Sequence, residues 1–263
     1  MRKVAIAMPL IRATPSWLPI LFDWVGLKRQ PHAVKLRDGT TIGIRPGLGD
    51  YYAFVETFVL NVYERALDRL RPGNTVVDIG AHVGCFAIAA RRRVGARGYV
   101  IAVEPAQDCV LALQRNIERN GFRNVEIVPA AVAAAPGRRH LTLSDNSLFS
   151  SLYDEIDGRR TGREHQLTDV ITLDQLFASF HIGRCDLLKM DCEGAEHDIA
   201  DSMTMERAAH IRAVIVETHA VGGKSLETFV HSMQALGFAE HRRQAYCYLT
   251  SRRGAVDPDQ QSR

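Results

Sequence analysis

Two short segments gather the side chains best able to do chemistry. Asp191, Glu193 and Glu196 put three carboxylates within six residues, and Glu217-Thr218-His219 follows a short apolar run. Side chains alternate along a strand, so Glu217 and His219 face the same side and can enter one pocket. Imidazole titrates near neutrality and suits the removal of a hydroxyl proton, which makes His219 the candidate general base with Glu217 orienting it. Asp191, at the end of another apolar run, is the candidate partner or alternative base. Asp191, Glu217 and His219 could together hold a divalent ion, and their oxygen-rich character would suit Mg²⁺ better than zinc. Glu193 is a candidate for contact with a substrate. Glu196 reads most simply as helix capping and dipole compensation.

A third segment, Val76-Val77-Asp78-Ile79-Gly80-Ala81-His82-Val83-Gly84, reads as a buried strand, a glycine loop and the start of a helix. Such a junction turns backbone N–H groups and a helix N-terminus toward a ligand at the carboxyl edge of a sheet. The spacing Gly80-x-x-x-Gly84 is not the three-glycine pattern of dinucleotide enzymes, which argues against NAD. A second strand ends in Val103-Glu104-Pro105, and Glu104 stands 24 residues after Gly80, where a carboxylate reaches the hydroxyls of a ribose. Asp78, Gly80, Ala81, His82, Gly84, Glu104 and Pro105 are therefore the candidate nucleoside-binding set. Ala130, after a third strand, would border the base.

These residues need a sheet to bring them together. From residue 75 the chain repeats strand, glycine turn and helix: strands at 76–77, 99–103 and 125–128, helices at 86–94 and 107–120. The alternation implies right-handed crossovers and a parallel sheet with helices on both faces. Further strands are expected at 141–144, 186–190 and 212–216, helices at 173–180 and 225–236, and a closing antiparallel pair at 238–242 and 245–249. Upstream, 33–44 alternates around Asp38-Gly39 as a hairpin, and 52–70 reads as one amphipathic helix.

With 263 residues, 46% hydrophobic and 24% charged, the chain can bury the core of one large α/β domain. A net charge of +3 and only short arginine clusters leave no nucleic-acid footprint. Five cysteines without a C-x-x-C pair imply a reduced, cytoplasmic protein. Pro9, Arg12, Pro15, Pro19 and Asp23 interrupt the first apolar run, so neither a signal peptide nor a transmembrane helix is expected. The stretch 17–27 is expected as a short helix packed on the domain, with a peripheral membrane or partner contact as the alternative.

The motifs together resemble the FkbM-type S-adenosylmethionine-dependent methyltransferases. The resemblance runs over about 49–237 and is carried by the 77–84 loop, Val103-Glu104-Pro105, the segment 113–121, Leu188-Lys189-Met190-Asp191-Cys192-Glu193-Gly194-Ala195-Glu196, and Val214-Ile215-Val216-Glu217-Thr218-His219. It implies a Rossmann-like class I methyltransferase fold with a seven-stranded, mostly parallel sheet over 49–251. An extension with the hairpin would occupy 1–48 and a polar tail 252–263. It also implies S-adenosylmethionine as cofactor and methylation of a hydroxyl on a sugar, oligosaccharide, glycolipid or polyketide. His82 departs from the family's loop, where asparagine is usual, and this puts the contact with the methionine end of the cofactor in question.

On the acceptor side, Ser150 and Ser151 lie in a segment rich in short hydrogen-bonding groups. Tyr51, Tyr52, Tyr63 and Glu64 precede the core as a candidate lid, Tyr63 and Glu64 on the cofactor and Tyr51 toward the substrate. An aromatic and hydroxyl-bearing rim would suit a saccharide. Competing readings are a polyketide or macrolide O-methyltransferase, an N-methyltransferase of nucleic acid or protein, and a non-catalytic cofactor-binding protein. The second lacks the Asn/Asp-Pro-Pro-aromatic sequence at the fourth strand. A homo-oligomer is an open alternative to a monomer.

Overall fold

The turn at Asp38-Gly39 folds the first alternating stretch back on itself, and Gly39 takes the left-handed conformation it requires, φ 94°. In the computed structural model, which describes residues 7–27, 30–144, 147–160, 162, 164–242 and 246–252, helices α1 (Ala7–Ala13) and α2 (Trp17–Trp24) precede this hairpin of β1 (His32–Lys35) and β2 (Thr41–Ile44). Ile20 of α2 is buried while Leu18 and Phe22 are exposed, so the helix packs on the domain by one side.

The single helix expected over 52–70 is instead two, α3 (Asp50–Phe58) and α4 (Glu64–Leu67). Between them Asn61 adopts φ 52°, and the N–H groups of Leu60 and Val62 reach back to the carbonyls of Val55 and Glu56. Asparagine is among the few residues that tolerate this conformation. Val59, Tyr63, Ala66 and Leu70 remain buried across the break, which is why the apolar periodicity reads as continuous.

The predicted alternation follows: β3 (Thr75–Ile79), α5 (Cys85–Val94), β4 (Tyr99–Val103), α6 (Gln107–Arg119) and β5 (Val125–Val128). Next come β6 (Ala131–Val132), β7 (Gly137–Leu143), a 3-10 turn at Ser147–Phe149, the short pair β8 (Glu155–Ile156) and β9 (Arg159–Arg160), and β10 (Glu164–Ile171). The chain ends with α7 (Leu173–Ser179), β11 (Leu187–Met190), α8 (Glu196–Ser202), α9 (Met205–Ala209), β12 (Ala213–Val216), α10 (Leu226–Ala235), β13 (Phe238–Arg242) and β14 (Cys247–Ser251). Apart from Arg252, the polar tail lies outside the described residues, as does Ala245 at the start of the expected last strand.

The seven-stranded sheet runs β13-β14-β12-β11-β3-β4-β5, parallel except that β14 is antiparallel to both of its neighbours. Val76, Val100 and Ile215 point into a core shared with α3, α5 and α6. Val77, Ile101 and Val214 point into a second core with α7 and α10. Burial on both faces is what makes these strands read as continuous apolar runs. Strand order reverses between β3 and β11, opening a crevice at the carboxyl ends of these two strands. A smaller sheet, β6-β10-β7, packs beside it. Among the described residues no helix is long and apolar enough to cross a membrane.

Candidate active site

At the carboxyl end of β3 the chain must turn sharply against β11. Gly80 has φ 78°, and a Cβ placed there would stand 1.8 Å from the carbonyl oxygen of Asp191. Only glycine permits that approach. The N–H groups of Gly80 and Ala81 both donate to Val103 O at 3.0 Å, tying the loop to β4. Glu104, at the end of β4, accepts His82 N–H at 2.8 Å on one carboxyl oxygen and Ala106 N–H at 2.8 Å on the other. Each oxygen keeps a further lone pair for a ligand hydroxyl. Burial pushes the Glu104 carboxyl up to about 7, against the pull of those two N–H donors.

His82 holds φ 51° in this loop. Its Nε2 lies 2.7 Å from Ser147 Oγ and 3.6 Å from Asp50 Oδ1, while Ser147 Oγ donates to Leu48 O at 2.5 Å. Nε2 therefore carries the hydrogen, and Nδ1 is buried without a hydrogen-bond partner among the described residues. Burial holds the imidazole neutral, lowering its pKa to about 4. Asp50, fully buried, is gripped by the Nε and NH2 groups of Arg45 at 2.9 Å each. The extension is thereby joined to the glycine loop.

Below the crevice Lys189 projects from the centre of β11. Its Nζ lies 3.1 Å from Asp78 Oδ1 and 3.6 Å from Asp191 Oδ2, and donates to Gly80 O at 2.9 Å. Burial works against its charge, and the two carboxylates more than offset it, leaving the ammonium harder to deprotonate than in water. Asp78 is thus a buried ion-pair partner at the base of the loop and does not line the cavity.

Beyond β12, His219 stands between two carboxylates. Its Nδ1 is 3.2 Å from Glu196 Oε1, and its Nε2 is 3.5 Å from Glu193 Oε2. Glu196 is fully buried and also accepts Cys192 N–H at 2.7 Å and Gly194 N–H at 3.0 Å. His197 Nε2 donates to His219 O at 3.1 Å. Glu193 has φ 52°, a strained conformation for a residue of its size. Burial opposes the imidazolium, yet Glu196 and Glu193 raise His219 to about 10, while burial raises Glu193 to about 9. Burial and the neighbouring Asp191 also push Glu217 up to about 7.

These groups surround a cavity of about 330 Å³. Val103, Ala130, Ala131, Val132 and Leu141 make one wall apolar. Glu104, Pro105, Gly80 and His82 also line it, and the carboxyl groups of Glu56, Asp191, Glu193 and Glu217 join His219 in making another part of it acidic. Tyr52 and Ser150 also line it. A larger groove, about 1540 Å³, meets the cavity at Ser147 and Ser150 and is lined by polar side chains including Gln107, Asp154, Glu164 and His165.

Other candidate residues lie outside the wall. Ser151 is buried and donates to Glu193 O at 2.5 Å, supporting the strained residue from behind. Tyr63 is buried with its hydroxyl 3.5 Å from Asp191 Oδ2. Tyr51 stacks on Tyr52, their ring centroids 3.9 Å apart. Ala81 and Gly84 shape the loop, and a Cβ on Gly84 would meet Leu113 Cδ1 at 2.3 Å. Glu64 is exposed at the start of α4 and away from the cavity. Sequence reasoning did not find Glu56, whose helix shows only an amphipathic pattern, or the contact of Glu196 with His219.

A parallel sheet that reverses order at a glycine loop, an acidic residue ending the next strand and an antiparallel closing pair define a class I S-adenosylmethionine-dependent methyltransferase. The chain belongs to the FkbM methyltransferase family: residues 78–246 match the Methyltransferase FkbM domain. It is 27% identical over 233 residues to the 31-O-demethyl-FK506 methyltransferase FkbM of Streptomyces tacrolimicus, covering 78% of this chain and 88% of that one. It is 26% identical over 194 residues to the methyltransferase sdnD of Sordaria araneosa, covering 64% and 74%. The AMB antimetabolite synthetase AmbE of Pseudomonas aeruginosa is 26% identical over 202 residues, 64% of this chain but only 9% of that protein. Among solved structures, the methyltransferase FkbM of Methylobacillus flagellatus KT superposes with a TM-score of 0.45 at 14% identity, over 76% of this chain and 53% of that one.

Proposed function

We propose that the protein transfers the methyl group of S-adenosylmethionine to a hydroxyl of a small-molecule or carbohydrate acceptor, with His219 as general base. The observation that carries this reading is the placement of His219 on the cavity wall with Nδ1 committed to Glu196. A hydrogen on Nδ1 leaves Nε2, which lies 3.5 Å from Glu193 Oε2, as the atom that receives a proton.

The walls suit the cofactor. Glycine where a side chain would collide lets a ligand lie on the backbone, Glu104 has lone pairs for ribose hydroxyls, and the apolar wall with Ala130 suits a base. The acidic end suits a molecule bearing a sulfonium and an ammonium. When bound, the cofactor supplies an electrophilic methyl: an oxygen–carbon bond forms, the sulfur–carbon bond breaks, and its electron pair stays on sulfur. Asp191, Glu217 and Glu193 line the cavity; in this reading the first two help position the acceptor and Glu193 binds its hydroxyl. Glu196 and Glu193 favour the imidazolium form of His219 in the free protein, and a second positive charge beside it favours the neutral form that accepts the hydroxyl proton. Glu196 then stabilises the imidazolium.

The groove of polar side chains beside Ser150 supports a saccharide acceptor, whose hydroxyls need such partners. A polyketide alcohol is the alternative within the same chemistry. The reading is tested by an acceptor screen that follows S-adenosylhomocysteine release, with His219→Ala as control. The variant is expected to lose turnover while calorimetry finds cofactor binding near wild type, and unimpaired turnover would reject His219 as base.

One observation favours a second reading of the same side chains. Asp191, Glu217 and His219 each bring a ligand atom within 4.8 Å of the others. A divalent ion such as Mg²⁺ held there would polarise the acceptor hydroxyl. Turnover that survives exhaustive EDTA treatment removes the ion from the mechanism.

A further inference from the structure

Among the described residues, one corner of the cavity has more carboxylate than neighbouring cations satisfy. Glu56 on α3 lines it together with Asp191 and Glu217. Among the described residues, the side chain that bonds Glu56 is Tyr246, through its hydroxyl 3.5 Å from Glu56 Oε2. Two cations nearby among the described residues are already committed: Lys189 to Asp78, Asp191 and Gly80 O, and His219 to Glu196 and Glu193. Three carboxyl groups thus share one corner of the cavity, and like charges so gathered disfavour one another. A ligand cation placed there would remove that repulsion.

The position of the corner indicates which cation. Glu104 and the apolar wall fix where ribose and base would lie. Gly80 and Asp191 meet at the switch point, and Glu56 lines the same cavity from the helix packed against α5, which starts from the glycine loop. A nucleoside seated on Glu104 would send its 5′ substituent toward Glu56. In S-adenosylmethionine that substituent ends in an amino acid.

We propose that Glu56 is the anionic partner of the cofactor's α-ammonium group, so that α3 supplies a binding residue as well as cover. This assignment rests on the nucleoside reading of Glu104 and not on the choice of base. A carboxylate–ammonium contact in a partly desolvated site is a charge-assisted hydrogen bond.

The test is a ligand deletion crossed with a side-chain deletion, read by calorimetry in the presence of EDTA so that no metal ion carries the difference. S-adenosylhomocysteine has the amino acid; 5′-methylthioadenosine keeps the nucleoside and thioether and lacks it. Glu56→Gln is expected to weaken S-adenosylhomocysteine binding on the order of 10- to 100-fold and to leave 5′-methylthioadenosine within about twofold of wild type. Glu56→Asp should recover part of the loss. Equal weakening of both ligands, or weakening of neither, overturns the assignment. Retained 5′-methylthioadenosine binding also certifies that the variant is folded. Glu104→Ala in the same titrations is expected to weaken both ligands, and its result reports on the nucleoside reading separately.

Discussion

Glu196 Oε1 lies 3.2 Å from His219 Nδ1 and at the same time accepts the Cys192 N–H at 2.7 Å. One buried carboxylate therefore fixes both the imidazole and the loop that carries Asp191 and Glu193. Glu196→Gln replaces two acceptor oxygens by one, so either the Gly194 N–H loses its partner or the Cys192 N–H and His219 lose theirs together. We expect kcat to fall on the order of 10²-fold or more, with the affinity for S-adenosylmethionine little changed. Unfolding should become easier by about 1–3 kcal/mol. Steady-state kinetics below the unfolding transition, together with thermal melts, separate the two effects. An unchanged kcat in a destabilised variant would leave Glu196 a purely structural cap.

Gly80 and Asp191 touch through their backbones, and that contact sets the width of the crevice. Gly80→Ala would force its Cβ into a carbonyl oxygen that lies 1.8 Å away and would strain a residue at φ 78°. Neither atom is on a flexible side chain, so β3 and β11 must separate at their ends. The variant should lose measurable binding of S-adenosylhomocysteine and melt at lower temperature, by about 2 kcal/mol or more of stability. A variant binding with wild-type affinity would contradict the geometry.

Lys189 is the counter-charge for two strand ends. Lys189→Met keeps most of the stem volume and leaves Asp78 buried without its cation. Breaking a buried pair from one side typically costs about 3–5 kcal/mol. Denaturant unfolding should show a loss of that size. The double variant Lys189→Met/Asp78→Leu should recover part of it, because no uncompensated charge then remains on Asp78. Failure to recover would mean that the contact of Lys189 with Asp191 and Gly80 O dominates.

Residues 75–128 were legible as alternating strands and helices because β3 and β4 are buried on both faces and α6 on one. The same logic failed for β10, whose inward positions include Gln166 and Thr168 and whose Leu167 points outward. Gln166 is inside because its amide bonds Gln107 N–H and Pro105 O, a reason no periodicity carries. At the site, Asp191, Glu217 and His219 could be named because strand ends announce themselves. Glu56 could not, since it reaches the cavity from a helix 135 residues before Asp191, and its role depends on the neighbours that packing gives it. The pairing of Glu196 with His219 was hidden because a carboxylate at a helix start reads as a cap, whereas Glu196 accepts the Cys192 and Gly194 N–H groups of the loop before α8.

His82 makes the stability of this protein depend on pH in a predictable direction. Burial lowers its pKa from 6.5 to about 4 in the folded state. Below about 6.5 the unfolded chain binds a proton that the folded protein does not. Stability contributed by the neutral imidazole is therefore complete above pH 6.5 and is lost as pH falls toward 4, by up to about 3 kcal/mol. Asparagine also tolerates the φ of 51° found here, can donate toward Ser147 and does not titrate. Denaturant unfolding of the wild type and of His82→Asn at several pH values between 4 and 7 should give curves that converge or cross on acidification, with the variant gaining relative stability. Parallel curves would mean that His82 takes up its proton in the folded state, by turning Nδ1 toward Asp50.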